Sequence, residues 1–83
     1  MDTSNDNIVN KPSHYARYEI EPVTFSMKNG LDFATGNIVK YALRAGHKSY
    51  EGKSPDESAI IDLQKVIRYA EMRINLIKGE DIL

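Results

Sequence analysis

The feature that most constrains this chain is a strong start signal for a long helix at residue 54. In the run Ser54-Pro55-Asp56-Glu57, the serine and the glutamate stand three residues apart, so each side chain can bond the other's backbone N–H. Proline suits the first helical position, and acids in the first turn interact favourably with the helix dipole. We expect the helix to end near Lys78-Gly79. The sequence thus predicts a helix of about 24 residues, about 36 Å long.

The apolar residues of this helix recur with coiled-coil spacing. Intervals of three, four, three, four and three residues separate six positions, called the seam below: Ile60, Leu63, Ile67, Ala70, Ile74 and Ile77. We expect the seam to serve the chain's own core. Four more apolar residues lie off the seam and widen the surface enough to meet a partner helix: Ile61, Val66, Met72 and Leu76.

Chain length predicts an oligomer. The chain has 83 residues and no cysteine, so neither a large core nor disulfides can stabilise it. A helix of about 36 Å is longer than the remaining short helices of one copy can cover. We expect a homo-oligomer, a dimer or a tetramer, formed through the long C-terminal helix.

Two shorter helices are predicted before the long one. Pro22 near a first turn and Gly30 just past the end indicate a helix over 21–29, with an edge strand as the competing interpretation. Asp32 is the expected N-cap of a second helix that ends at Gly46.

The predicted fold is therefore a single all-α domain over residues 1–83. It has a disordered tail over 1–8, an extended arm over 9–20 and a helical core over 21–79. Residues 46–54 are rich in Gly, Ser and Lys and are predicted to form an exposed, mobile loop.

Composition argues against several classes of protein. No stretch approaches the ~20 consecutive apolar residues of a membrane helix, and residues 1–7 are polar and acidic, unlike a signal peptide. We expect a cytoplasmic protein without a membrane partner. With no cysteine and two isolated histidines, neither a metal site nor a cofactor is predicted. A net charge of −1 argues against binding to long nucleic acid.

Positive charge is concentrated in residues 36–50, which carry three cations and no acid. Helical spacing places these cations along one side together with an amide and a phenol: Asn37, Lys40, Tyr41, Arg44 and Lys48. As helix-surface groups, such cations can bond phosphate oxygens, and a base can stack on the phenol ring. An ordinary solvated face explains the charge run alone equally well.

The long helix carries a second polar stripe, formed by Asp62, Lys65 and Tyr69. Taken alone, this stripe is explained by surface pairing of Asp62 with Lys65. If the second and third helices pack as a hairpin, however, both stripes can face one cleft, where Asp62 could orient a cation or accept from a base or a ribose hydroxyl. In the arm, His14 and Tyr15 follow Pro12, although a lone histidine is more often a surface or capping residue than a functional one.

Three motifs resemble a phage-encoded family of small domains, long catalogued as of unknown function. They are P-x-H-Y at 12–15, G-N-x-x-K-Y-x-x-R-x-G-x-K at 36–48 and D-L-x-K-x-x-x-Y at 62–69. The resemblance covers about residues 9–77, and its middle motif is the most specific. Two activities are associated with proteins that look like this: a phage nucleotide kinase acting on deoxynucleoside monophosphates, and a multimeric anti-CBASS sponge that sequesters cyclic-nucleotide immune signals. The resemblance implies ten ligand-binding positions: His14, Tyr15, Asn37, Lys40, Tyr41, Arg44, Lys48, Asp62, Lys65 and Tyr69.

Binding without turnover fits the sequence better than phosphoryl transfer. The chain has no G-x-x-x-x-G-K-[ST] loop, and Asp62 is the only acid in a candidate stripe. We therefore expect sequestration of a phosphate-bearing nucleotide, either a cyclic di- or trinucleotide or a mononucleotide, and assign no catalytic residue. The kinase activity is the alternative. An inhibitor that blocks a host protein with its apolar long helix ranks third.

Overall fold

The computed structural model describes residues 18–82. It contains three helices, α1 (Pro22–Lys28), α2 (Phe33–Arg44) and α3 (Pro55–Lys78), and no strand occurs in the described part. The all-α prediction is confirmed, and the competing edge strand at residues 21–29 is wrong. The predicted tail, most of the predicted arm, and with it His14 and Tyr15, lie outside the described residues.

Local capping explains where α2 and α3 begin. Asp32 precedes α2, and its carboxylate accepts from the backbone N–H of Thr35 at 2.9 Å and from that residue's hydroxyl at 2.7 Å. Ser54 and Glu57 form the predicted capping box, with bonds of 2.9 and 3.1 Å. These bonds lower the pKa of each carboxylate, chiefly through the backbone N–H of Thr35 for Asp32 and that of Ser54 for Glu57.

Glycine ends the last helix as predicted. Gly79 follows α3 with φ at +74°, a left-handed conformation that costs glycine little, and its N–H bonds to the carbonyl of Leu76. The end of α3 is therefore set by local chemistry.

Helix α2 lies between the other two helices. It packs against both α1 and α3, whereas α1 and α3 do not contact each other. Just before α1, the hydroxyl of Tyr18 donates to the carbonyl of Leu43 near the end of α2. The expectation that the second and third helices pack as a hairpin is confirmed.

The seam of α3 does not face the chain's own core, so that part of the sequence interpretation is wrong. Five of its six members are exposed by between 48% and 69%: Ile60, Leu63, Ile67, Ile74 and Ile77. Residues of another stripe are buried or half-buried: Ser58, Ile61, Asp62, Lys65, Val66, Tyr69 and Met72. The polar members of this stripe bond to α2 and to the loop before α3. Those bonds turn this stripe of α3 toward α2, whereas the spacing of the apolar residues alone predicts that the seam faces α2.

The centre of the described fold is polar. The largest side chains with essentially no exposure are Asp62, Pro22 and Ser58, and Arg44 is only 5% exposed. No large apolar side chain in residues 18–82 is fully buried. Apolar burial is therefore incomplete in the single copy. In the same residues, no helix is long and apolar enough to cross a membrane.

Candidate functional site

The site is built around a buried ion pair between α2 and α3. Arg44, the last residue of α2, donates through Nη2 to Oδ1 of Asp62 at 2.9 Å and through Nε to Oδ2 at 3.3 Å. The expectation that Arg44 is a helix-surface cation is wrong, and so is the pairing of Asp62 with Lys65 at the surface. Both side chains sit in the polar centre because each satisfies the other's charge there.

Tyr50 completes this centre, and the sequence analysis missed it. Its hydroxyl accepts from Nη2 of Arg44 and from Nζ of Lys65 at 2.8 Å, and it donates to Oδ1 of Asp62 at 2.6 Å. The hydroxyl thus uses both its acceptor capacity and its proton. One sequence feature could have indicated Tyr50, because it is the only Phe, Tyr or Trp residue in the loop over 46–54.

The loop over 46–54 is exposed at most of its positions, as predicted, and it is anchored at Tyr50. The backbone N–H of Tyr50 donates to Oγ of Ser58 at 2.9 Å, and Ser58 is fully buried in the first turn of α3. This bond brings the Tyr50 ring down between the two helices. The flanking residues Ser49 and Glu51 are exposed, as predicted.

Asp62 is held in its charged form. Burial alone would raise its pKa, but hydrogen bonds from Arg44 and Tyr50, with the charges of Arg44 and Lys65, outweigh that effect and lower the pKa below its ordinary value. Both carboxylate oxygens are engaged by Arg44, and Oδ1 also accepts from Tyr50. Asp62 therefore acts as a fixed internal counter-charge.

Aromatic rings line the interface beside the ion pair. The rings of Tyr41 and Tyr69 are nearly parallel, 8° apart in orientation, with centroids separated by 6.0 Å. Phe33 meets Tyr69 edge-on at 6.2 Å. The two predicted polar stripes thus face each other, one from α2 and one from α3.

Three lysines lie against the rings of Tyr41 and Tyr50, and we call Lys40, Lys48 and Lys65 the lysine cluster. The ammonium of Lys65 lies 4.8 Å from the ring centroids of both Tyr41 and Tyr50. Lys40 lies 5.1 Å from the Tyr41 ring, and Lys48 lies 5.3 Å from the Tyr50 ring. No member forms an ion pair with another described residue. Because the charge of Arg44 is balanced by Asp62, the lysine cluster supplies the excess positive charge of the site.

A groove between α1 and α2 adjoins the lysine cluster. Its volume is about 280 Å³, and its walls include Val23, Met27, Leu31 and Phe33. Lys40 lies at its edge and so belongs to both the groove and the cluster.

Asn37 also lines the groove, and one of its side-chain N–H groups is engaged within α2. Its side-chain N–H donates to the carbonyl of Phe33 at 2.9 Å, one turn back along α2. That bond uses part of the amide's capacity within the helix.

The structure brings together seven of the ten predicted positions. Six contact one another, directly or through the Tyr50 ring, between α2 and α3, namely Lys40, Tyr41, Arg44, Asp62, Lys65 and Tyr69. Lys48 joins them over the Tyr50 ring, while Asn37 stands beside them in the groove. In residues 18–82 no three His, Cys, Asp or Glu side chains are grouped closely enough to hold a metal ion.

One protein family matches this chain. The family DUF3310, described as a protein of unknown function, matches residues 9–71, about three-quarters of the sequence. The chain therefore belongs to this family. No curated protein and no solved structure matches significantly.

Proposed function

We propose that this DUF3310 protein binds a phosphate-bearing nucleotide at the lysine cluster and sequesters it without chemical turnover. The observation that carries the proposal is the set of three ammonium groups around the rings of Tyr41 and Tyr50, with no carboxylate paired to any of them in the described chain. Lys65 shares the Tyr41 ring with Lys40 and the Tyr50 ring with Lys48. Like charges that share a ring repel each other, and an anion bound among them offsets that repulsion. A phosphate group matches this need because it offers several strong acceptor oxygens.

The buried ion pair supports a binding role for the cluster. Asp62 fixes the guanidinium of Arg44, which lies 4.6 Å from the Tyr41 ring, and Tyr50 links that pair to Lys65. The rings and Lys65 are consequently positioned before a ligand arrives. Such preorganisation reduces the ordering cost of binding.

The groove supplies a place for the apolar part of the ligand. Its aliphatic and aromatic walls adjoin Lys40, so a base could occupy the groove while its phosphate contacts the cluster. A volume of about 280 Å³ is close to the lower end of small-molecule sites, about 300 Å³. One nucleotide unit per chain fits this size better than a whole oligonucleotide.

Sequestration is favoured over phosphoryl transfer by the state of Asp62. A kinase needs carboxylates that hold Mg²⁺ or accept a proton from the nucleophile. Asp62, the acid between α2 and α3, is buried, and both its oxygens are already bonded to Arg44. Asp32, which lines the groove, accepts from Thr35 as a helix cap and pairs with Arg73 at 3.3 Å. Following the sequence resemblance, we further propose that the ligand is a cyclic oligonucleotide signal of anti-phage defence, of which one nucleotide unit occupies the groove of each chain. Phage origin and immune evasion are the corresponding biological setting.

Calorimetric titration with cyclic di- and trinucleotides, deoxynucleoside monophosphates and inorganic phosphate tests the proposal. We expect a nucleotide to bind and the Lys40→Ala, Lys48→Ala and Lys65→Ala variants each to bind about tenfold more weakly, as loss of one charge-assisted bond implies. Lys28→Ala is the matched control, because Lys28 is exposed on α1 and lies outside the cluster. Equal affinities in all four variants would contradict the proposal.

The fate of the ligand separates binding from the kinase alternative. The protein is incubated with the bound nucleotide, or with a deoxynucleoside monophosphate, a nucleoside triphosphate and Mg²⁺, and is then heat-denatured. Chromatography should return every nucleotide unchanged. Accumulation of a diphosphate product would overturn sequestration in favour of a kinase.

A further inference from the structure

We infer that α3 pairs antiparallel with α3 of a second copy of this chain, through the seam. The seam is a regular apolar face that the described fold leaves uncovered. Five of its members, Ile60, Leu63, Ile67, Ile74 and Ile77, are about half exposed or more, and the sixth is the small residue Ala70. Regular spacing of three and four residues is the arrangement by which one helix packs against another.

The seam is accessible to a second helix. Successive residues of an α-helix are rotated by about 100°, so the seam is centred roughly a third of a turn away from the side of α3 that carries Asp62 and Tyr69. Those two residues face α2. A second α3 can therefore pack on the seam without displacing α2 and without covering the lysine cluster.

The spacing of the seam is self-complementary in the antiparallel direction. If one helix is reversed, Ile60 lies opposite Ile77 of the second copy, Leu63 opposite Ile74, and Ile67 opposite Ala70. The same three layers repeat on the other side of a two-fold axis near residues 68 and 69. All six positions are thus used twice in one closed, isologous interface.

Charge also favours the antiparallel direction. Asp56 and Glu57 occupy the first turn of α3 and Lys78 its last turn, each next to the seam along the helix. In an antiparallel pair, the acidic first turn lies beside Lys78 of the second copy, and the two helix dipoles oppose each other favourably. In a parallel pair, the acids of both copies would meet at one end. Glu80 and Asp81 come next along the chain, but they follow the end of α3, so the helix does not hold them beside the acidic first turn of the second copy.

The state of the core gives a reason for pairing. No large apolar side chain of residues 18–82 is fully buried, although α3 alone exposes six large apolar residues. Pairing through the seam removes five of these from water in each copy. The small Ala70 in the central layers lets the two helices approach closely at the axis.

Disulfide trapping tests the pairing and its direction, because the chain has no cysteine of its own. The double variant Ile60→Cys/Ile77→Cys should form a covalent dimer under mild oxidation, since the two positions face each other across the antiparallel interface. Either single variant alone should not, because equivalent positions then lie about 26 Å apart. Mixing the two single variants should restore cross-linking. A covalent dimer of Ile60→Cys alone would show parallel pairing and overturn the inference.

Sedimentation gives an independent measurement on the unaltered chain, whose mass should exceed the 9.4 kDa of one copy. Ile67→Asp should weaken the dimer by at least tenfold, because it places a charge in a central layer. The matched control Arg68→Asp changes an exposed residue off the seam and should still dimerise. If the unaltered chain sediments as a monomer, the inference that a second copy covers the seam is overturned. The nucleotide titrations do not depend on this result, so failure of either proposal is recognisable separately.

Discussion

Arg44 and Asp62 join the end of α2 to the first half of α3 through two hydrogen bonds, and their side chains are only 6% and 0% exposed. An ion pair this well buried tolerates loss of one partner poorly, because the remaining charge is then left without compensation in a poorly solvated place. The pair therefore fixes the relative position of the two helices that carry the lysine cluster.

The first prediction follows from this pair. Arg44→Ala should destabilise the fold by about 3–5 kcal/mol, because it leaves the Asp62 carboxylate buried without its partner. Urea denaturation of the variant and of the unaltered chain measures the difference. The double variant Arg44→Met/Asp62→Leu should recover most of the loss, since apolar replacement of both partners removes the buried charges. A stability equal to that of the unaltered chain in Arg44→Ala would show that the pair is not a structural element.

The second prediction concerns the hydroxyl of Tyr50, which bonds to Arg44, Asp62 and Lys65. Tyr50→Phe keeps the ring but removes the hydroxyl, and it should cost about 1–3 kcal/mol of unfolding free energy. Tyr69→Phe is the matched control, because its hydroxyl forms no hydrogen bond with a described residue. The idea that the hydroxyl organises the centre would fail if both variants unfolded at the same urea concentration.

Helix ends were predictable from the sequence, whereas the burial of polar groups was not. Asp32, Ser54 and Gly79 act through bonds within a few residues, so their chemistry is readable locally. The bond from Arg44 to Asp62 spans 18 residues and depends on how α2 and α3 are rotated. Nothing in the spacing of either helix alone encodes that rotation.

The seam shows the same difference between local and tertiary information. Its spacing correctly marks α3 as a helix with a regular apolar face, but spacing does not say what covers that face. The stripe containing Ser58, Asp62 and Lys65 faces α2 instead of the seam, because its polar atoms form hydrogen bonds with Arg44 of α2 and with Tyr50 of the adjoining loop. The role of Tyr50 could not be predicted, because a loop residue has no helical spacing that indicates which side chains it will contact.

The third prediction concerns acid stability. The pKa of Asp62 is lower in the folded chain than its ordinary value, about 3.9, so the unfolded chain binds the proton more tightly. The stabilisation is therefore present above about pH 4 and is lost as the pH falls through the folded pKa. Urea unfolding between pH 3 and pH 7 should show this decline. The Asp62→Asn variant should be less stable at pH 7, and its stability should decline less steeply as the pH falls. The decline that remains in the variant comes from Asp32 and Glu57, whose pKa values are also lowered. An equally steep decline in the variant would exclude Asp62 as a source of the pH dependence.

The fourth prediction concerns Ser58, whose fully buried Oγ accepts the backbone N–H of Tyr50 at 2.9 Å. Ser58→Ala removes that acceptor and leaves the N–H without a protein partner, so the loop should separate from α3 more often. We expect a loss of about 1–2 kcal/mol in unfolding free energy and faster hydrogen exchange at the Tyr50 amide. Ser49→Ala, at an exposed position beside Tyr50, is the control and should change neither quantity.

Because Tyr50 carries the bond to Lys65, a looser loop should also weaken nucleotide binding without any change to the lysine cluster itself. Unchanged exchange at Tyr50 in Ser58→Ala would mean that other contacts hold the loop in place.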